Sequence, residues 1–275
     1  MEPAQGLTNE SFSAAFKAIE EWFFPAFNKD LSELAQSPTA PIGALRGPLG
    51  QIPYNCSLRD CCDYALDNGL RHLKTLANAM DSPASTLIRN DLYNTRDLII
   101  IDLGSGPGLS WLLFSNLIMQ SDSASSLTVI NIDHAIQMHA IARKSQEIAC
   151  QLRPTLHSAD FRFSTNSDYI DSISSDDLDS EVTIMLILNH ILHQRADTKE
   201  NVPNFVSQAL KVTSNLAARS GCDRVLGISI EPFNLRSGFG QEGLKSVVTQ
   251  LNGSAIANSK IPGDRAGKNV FTFKF

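Results

Sequence analysis

The chain has 275 residues, of which 43% are hydrophobic and 19% charged, and its formal net charge is -6. A chain of this size and composition can bury its own core without disulfides or a structural metal. Its acidic balance argues against a general nucleic-acid coat, because phosphate binding needs clustered Lys and Arg. The sequence has no apolar run of about 18 residues and no basic segment followed by an apolar core, so we expect a cytoplasmic protein without a membrane span.

The first 96 residues are predicted to be mainly helical. Apolar residues recur at helical intervals from Asn9 to Ala35, and Pro25 is expected to kink or break that run. Three prolines and three glycines within residues 37–50 predict a loop, because they interrupt both the helical and the strand periodicity of apolar residues. A second helical pattern runs from Leu58 to Met80. We therefore divide the chain into a helical segment, residues 1–96, and a second domain, residues 97–275.

Strand-length apolar runs alternate with helical patterns from Asp97 onward, which predicts parallel strands joined by helical crossovers. The predicted strands are 98–103, 127–132, 161–163, 182–188 and 225–230, and the predicted helices are 110–119, 135–152, 202–219 and 240–251. Two extended runs, 255–261 and 269–275, flank a turn-rich loop and predict a C-terminal β-hairpin. The sequence therefore predicts an α/β fold behind a helical N-terminal segment.

A glycine-rich turn follows the first predicted strand and contains Gly104, Gly106 and Gly108. Glycine permits positive φ and lets a ligand approach the main chain closely. A dinucleotide fingerprint requires G-x-G-x-x-G, whereas Leu109 stands where its third glycine would be. Asp102 precedes the turn, and a carboxylate there would repel a pyrophosphate and favour a ligand with a cationic amine.

The pattern h-h-h-D-x-G-x-G-x-G resembles the first motif of the class I S-adenosylmethionine-dependent methyltransferases, and residues 99–108 match it at every defined position. The resemblance covers residues 97–275. It implies a Rossmann-like sheet of seven strands, six parallel and one antiparallel from the C-terminal hairpin. It also implies a binding site for S-adenosyl-L-methionine. The implied binding residues are Asp102, Gly104, Ser105, Gly106, Gly108, Asp133, His134, Asp168 and Asn189.

Two of these positions leave alternatives open. Asp133 ends the second predicted strand, where members of this family use a carboxylate to bind both ribose hydroxyls. The alternative is that Asp133 caps the helix that begins near Ala135. After the third strand the resemblance implies a polar residue at the adenine amino group, and Asn166 competes with Asp168 for that role.

His190 and His193 follow the fourth predicted strand, at the edge where parallel α/β sheets bind ligands. Either imidazole is a candidate general base, because it titrates near neutral pH. The alternative is that the histidines pack under the next helix. Members of the resembled family that methylate exocyclic base amines or glutamine amides commonly carry Asn-Pro-Pro-Tyr at this strand end. Here Asn189 is followed by His190 and Ile191, which argues against those substrates. Glu231, at the end of the fifth strand, is a further candidate for the substrate side.

The resemblance implies methyl transfer by in-line displacement to a nucleophilic oxygen or nitrogen, most simply of a small molecule. The N-terminal helices would then close over the cofactor or form a homodimer contact. An RNA or protein methyltransferase, and a non-catalytic partner subunit that binds the cofactor, are the alternatives. The hint of an RNA surface is a scatter of basic residues: Arg46, Arg59, Arg71, Lys74 and Arg89.

Five cysteines occur without a CxxC pair, so we expect reduced thiols and no metal site. They are Cys56, Cys61, Cys62, Cys150 and Cys222.

Overall fold

A computed structural model describes residues 11–36, 57–95, 97–118, 126–133, 135–165, 182–189, 204–220, 222, 224–232, 235–261 and 268–275. The strands are β1 (Asp97–Leu103), β2 (Leu127–Ile132), β3 (Asp160–Ser164), β4 (Val182–Asn189), β5 (Val225–Pro232), β6 (Ser254–Lys260) and β7 (Lys268–Lys274). The helices are α1 (Phe12–Trp22), α2 (Phe24–Ala35), α3 (Leu58–Asp81), α4 (Thr86–Tyr93), α5 (Trp111–Ile118), α6 (Ile136–Leu152), α7 (Asn204–Ser220) and α8 (Leu235–Gln250).

The strands form one sheet in the order β3-β2-β1-β4-β5-β7-β6. β1 to β5 pair in parallel, and β7 is antiparallel to both β5 and β6. This confirms the predicted Rossmann-like, mostly parallel sheet with a C-terminal antiparallel hairpin. The winding direction reverses between β1 and β4, and such a switch point leaves a crevice at the carboxyl ends of the strands.

Each central strand is buried on both faces, as its continuous apolar run predicts. In β1, Leu98 and Ile100 face the core that also contains α1 to α3, α5 and α6. Ile99, Ile101 and Leu103 face the core formed with α7 and α8. Alternate residues of a strand therefore face opposite helical layers.

The N-terminal helices are anchored to one another and to the first face of the sheet. α1 and α2 separate at Phe23, and Pro25 lies in the first turn of α2, so the predicted break is confirmed. Both carboxylate oxygens of Asp81, at the end of α3, accept backbone N–H bonds of 2.8 Å from Phe12 and Ser13. This contact caps α1 with the end of α3.

The described cysteines are buried and form no disulfide with one another; Cys56 lies outside the described residues. Within the described ranges, no group of three or more His, Cys, Asp and Glu residues could hold a metal ion. No described helix combines the length and the apolar character needed to cross a bilayer.

The pairing of β5 with β7 generates a stability prediction. Gly227 lies opposite Phe273, and a Cβ on Gly227 would come within 2.0 Å of the Phe273 Cζ atom. Because the ring is fully buried, Gly227→Ala should lower the free energy of unfolding by about 2–3 kcal/mol in urea denaturation. In a Phe273→Ala background the same substitution should cost less than about 1 kcal/mol. An equal cost in both backgrounds would contradict this packing.

Candidate functional site

Three polar side chains end neighbouring strands on one face of the sheet. Asp102 of β1 pairs in register with Asn131 of β2, and Asn189 ends β4 two residues beyond the partner of Asp102. Their parity places all three on the face covered by α3. Asp102 and Asn131 are each only 2% exposed. The carboxyl edge of the sheet therefore presents a carboxylic acid and two amides towards the N-terminal helices.

The turn after β1 needs its glycines. Gly104, Gly106 and Gly108 have φ of 65°, 52° and 62°, in the left-handed region that other residues rarely adopt. Gly108 also packs against α6, where an added Cβ would lie 2.7 Å from the Cβ of Ala142. Both the turn and its close approach to α6 depend on glycine.

Backbone N–H groups of this turn are bonded to the protein itself. The Gly104 and Ser105 N–H groups donate to the Ile132 carbonyl at 2.7 and 3.3 Å, and the Gly108 N–H donates to the Ser105 carbonyl at 2.9 Å. The Gly106 N–H donates to Oδ2 of Asp133 at 2.9 Å. These four donors are engaged before any ligand arrives.

Asp133 joins the turn to the start of α6. While Oδ2 accepts from Gly106, Oδ1 accepts from the Ala135 N–H at 2.8 Å. Both readings of Asp133 made from the sequence are chemically compatible, because each carboxylate oxygen has two acceptor sites. The structure shows the contact of Asp133 with the start of α6. The contact with the ribose stays a prediction.

An open cleft lies beside the turn. Five of the predicted binding residues line it: Asp102, Gly104, Ser105, Gly106 and Asn189. Gly108 and Asp133 are not among its lining residues, and Asp133 is bonded to the turn through the Gly106 N–H. The other lining residues are Tyr64, Gly69, His72, Leu73, Pro107, Leu109 and Ser110.

The carboxylic acid of Asp102 dominates the electrostatics of the cleft. Burial raises its pKa to about 7, a hydrogen bond from Ser110 opposes that shift, and the charge of Asp133 adds to it. Burial also raises the pKa of Tyr64 to about 12, with a smaller contribution from Asp133. At pH 7 Tyr64 is therefore a neutral phenol, and Asp102 is close to the midpoint of its titration. A cation bound beside Asp102 would favour its ionised form.

Two buried polar atoms in the cleft have no hydrogen-bond partner among the described residues. They are Oγ of Ser105 and Oδ1 of Asn189. Buried polar atoms are normally paired, so each is a position where a ligand group would complete a hydrogen bond. The side chain of Asn189 is held by a 3.4 Å bond from Nδ2 to the carbonyl of His72.

Several candidates fall outside this account. His134, Asn166, Asp168, His190 and His193 lie outside the described residues, so their predicted roles stay predictions. Glu231 is fully buried, and its parity on β5 points it to the face of α7 and α8, away from Asp102.

Sequence reasoning missed the contribution of α3. Tyr64, Gly69 and His72 line the cleft, and a Cβ on Gly69 would lie 3.0 Å from Cδ1 of Leu109 in the turn. The available signal was Gly69 itself, because a glycine in the middle of a helix usually marks a close approach.

The chain is similar to several solved structures, each at low sequence identity. No protein-family model and no curated protein sequence matches the chain. Among solved structures, the methyltransferase CalH in complex with SAH is 13% identical, with 78% of this chain and 61% of that chain covered and a TM-score of 0.47. The magnesium protoporphyrin IX methyltransferase ChlM of Synechocystis PCC 6803 with bound SAH is 14% identical, with 94% and 99% covered and a TM-score of 0.39. SCL7 of Oryza sativa is 8% identical, with 90% and 99% covered and a TM-score of 0.42.

Gly106 and Gly108 of the turn give a matched pair of variants. Gly108→Ala combines a strained φ with the 2.7 Å clash against Ala142, so it should lower the free energy of unfolding by about 3 kcal/mol or more. A Cβ on Gly106 would meet only Tyr64 Cε1, at 4.0 Å. Gly106→Ala should therefore cost only the strain, about 1–2 kcal/mol. Equal losses in urea denaturation would show that α6 does not pack on Gly108.

The raised pKa of Asp102 gives a pH prediction. The acid ionises near pH 3.8 in the unfolded chain but near pH 7 in the folded one, so the folded state binds more protons between these values. Stability is then lost as pH rises through that window. The stability of Asp102→Asn relative to the parent should rise by about 2–3 kcal/mol between pH 5 and pH 8. The exposed Glu33→Gln is the control and should show no such trend; a flat difference for Asp102→Asn would contradict its burial as an acid.

Proposed function

We propose that the protein is an S-adenosylmethionine-dependent methyltransferase that methylates a nucleophilic oxygen or nitrogen of a small molecule. The observation that carries the proposal is the buried acid of Asp102, which lines an open cleft beside a turn of three glycines at positive φ. The cleft lies at the carboxyl edge of the sheet, next to the switch point between β1 and β4, where such sheets bind ligands.

The backbone N–H groups of the turn favour an amino-acid nucleoside over a dinucleotide as the ligand. A pyrophosphate needs unengaged backbone N–H groups, whereas those of Gly104, Ser105, Gly106 and Gly108 are bonded to protein acceptors. An anion beside Asp102 would also be repelled by it. A cationic amine would instead pair with the ionised acid and offset the cost of burying its charge.

The residues present fit the proposed ligand. Asp102 would hold the amino group, Asp133 the ribose hydroxyls, and Oγ of Ser105 and Oδ1 of Asn189 would gain the partners they lack. His134 and Asp168 are the proposed further contacts, with Asp168 at the adenine. When bound, S-adenosylmethionine supplies a methyl group made electrophilic by the neighbouring sulfonium.

The protein would then have two tasks, to hold donor and acceptor in line and to remove a proton where the nucleophile carries one. The sequence offers His190 or His193 as candidates for the second task. A small acceptor is favoured because α3 lies over the cleft, with Tyr64, Gly69 and His72 among its lining residues.

Calorimetric titration with S-adenosylmethionine and with NAD tests the proposal. The parent protein should bind S-adenosylmethionine and prefer it to NAD. Asp102→Asn and Asp133→Ala should each weaken that binding at least tenfold, because each removes a charged hydrogen-bond partner of the ligand. Thermal melts of each variant establish that it is folded.

Glu33→Gln is the matched control, because it removes an exposed carboxylate of α2 that does not line the cleft. It should bind as the parent does. A preference for NAD would overturn the proposed function. Unchanged affinity in Asp133→Ala would remove only the ribose assignment.

A further inference from the structure

We propose that His72 of α3 is a catalytic residue that faces the transferable methyl group and accepts the proton of the methyl acceptor. This inference rests on the proposed function and extends it. It assigns the acceptor to nucleophiles that lose a proton on methylation, namely hydroxyls, phenols and amines.

The first observation is the path of α3 across the carboxyl edge of the sheet. Tyr64 is near enough to Asp133, beyond β2, for that charge to raise its pKa. Further along the helix, Gly69 meets Pro107 and Leu109 of the turn after β1. The helix therefore passes from the proposed ribose side towards the later strands of the sheet.

The rest of the helix continues across β4 to β7. The carbonyl of His72 accepts the hydrogen bond from Asn189 at the end of β4. One turn later, Oγ1 of Thr75 lies 2.6 Å from Nζ of Lys268, which begins β7 beside the end of β5. His72 is thus the residue of α3 that lies at the end of β4.

The second observation is that His72 shares the cleft with the proposed cofactor contacts. It lines the same cleft as Asp102, Gly104 and Asn189. Its ring meets the ring of Tyr64 edge-on, with centroids 6.0 Å apart and an angle of 70° between the planes. The imidazole is only partly buried, so a proton that it receives can pass on to solvent.

The step balances with a sulfonium methyl donor. The acceptor's lone pair forms the new bond to the methyl carbon, and the carbon–sulfur bond breaks with its electron pair left on sulfur. The donor becomes a neutral thioether, and the acceptor's proton goes to the neutral imidazole of His72. Imidazole suits this role because it changes charge between about pH 5 and 8.

Other titratable groups face the cleft around His72. Tyr64 lies on the same helix and Asp102 on β1, while Lys268 of β7 lies one helical turn further on, against Thr75. With a pKa raised to about 12, Tyr64 keeps its proton throughout the neutral range. Asp102 titrates near neutrality, so the test must separate its effect from that of His72.

Two analogues of the methyl donor make that separation. S-adenosylhomocysteine lacks the methyl group, and sinefungin carries an amine in its place. Both share the amino-acid end, so the contact of Asp102 with that end affects the two affinities alike. Any further effect of the Asp102 charge on the sinefungin amine is measured in His72→Gln, which keeps Asp102 but lacks the imidazole. The ratio isolates groups that meet the methyl position.

The experiment is calorimetric titration of both analogues into the parent, His72→Phe, His72→Gln and Lys74→Gln. His72→Phe keeps a ring against Tyr64 but removes both nitrogens. It should weaken sinefungin binding at least tenfold and S-adenosylhomocysteine binding less than threefold. Lys74→Gln, an exposed position on the same helix, is the control and should match the parent.

The pH dependence tests proton acceptance. In the parent, the sinefungin-to-S-adenosylhomocysteine affinity ratio should fall at least fivefold from pH 7.5 to 5.5, because a protonated imidazole repels the ammonium group. In His72→Gln, which has no titrating side chain at this position, the ratio should fall less than twofold over the same range.

Each other outcome is decisive. If His72→Phe loses both analogues equally, or neither, or if the parent ratio is independent of pH, the inference is wrong while the proposed function stands. If the folded parent binds neither analogue, the proposed function fails and the role of His72 fails with it.

Discussion

The structure depends on one costly feature, an acid buried at the end of its central strand. Asp102 is fixed by β1, which is bonded on both sides by β2 and β4, so it cannot move to solvent without disturbing the middle of the sheet. The side chain of Ser110 donates one hydrogen bond to Asp102, which offsets only part of the cost of burying the ionised carboxylate. Proteins keep such groups mainly where a ligand needs them. The buried acid, the glycine turn around it and the cleft beside it are therefore best understood as parts of one binding site.

The glycine turn is held by its own protein rather than left ready for phosphate. One oxygen of Asp133 accepts a hydrogen bond from the Gly106 N–H, and the other accepts one from the Ala135 N–H at the start of α6. A single carboxylate therefore connects the end of β2, the turn and the helix. That arrangement holds the turn open without a ligand. It also explains why a turn rich in glycine and close to a helix start is a poor anion site here, although the same ingredients elsewhere bind pyrophosphate.

Much of the fold followed from local patterns. Apolar strands alternating with helical periods determine a parallel sheet, and Asp102 with its three glycines marks the end of β1. The contribution of α3 could not be obtained this way, because Tyr64 and His72 come within reach of Asp102 only through tertiary packing. Their helix shows ordinary amphipathic spacing, and Cys62, Ala65 and Leu73 on its apolar side signal a core helix and nothing more. Gly69 was the local irregularity that pointed to the turn.

The position of α3 also bears on the choice between an enzyme and a protein that only binds the donor. A binder needs the acid, the turn and a ribose contact, all of which belong to β1 and β2. It does not need a histidine that lines the cleft and whose backbone carbonyl is bonded to Asn189 at the end of β4. Since α1 is capped by the far end of α3 through Asp81, the N-terminal helices are joined into the wall that carries His72. This connection of the N-terminal helices to the cleft supports the proposed catalytic role over binding alone.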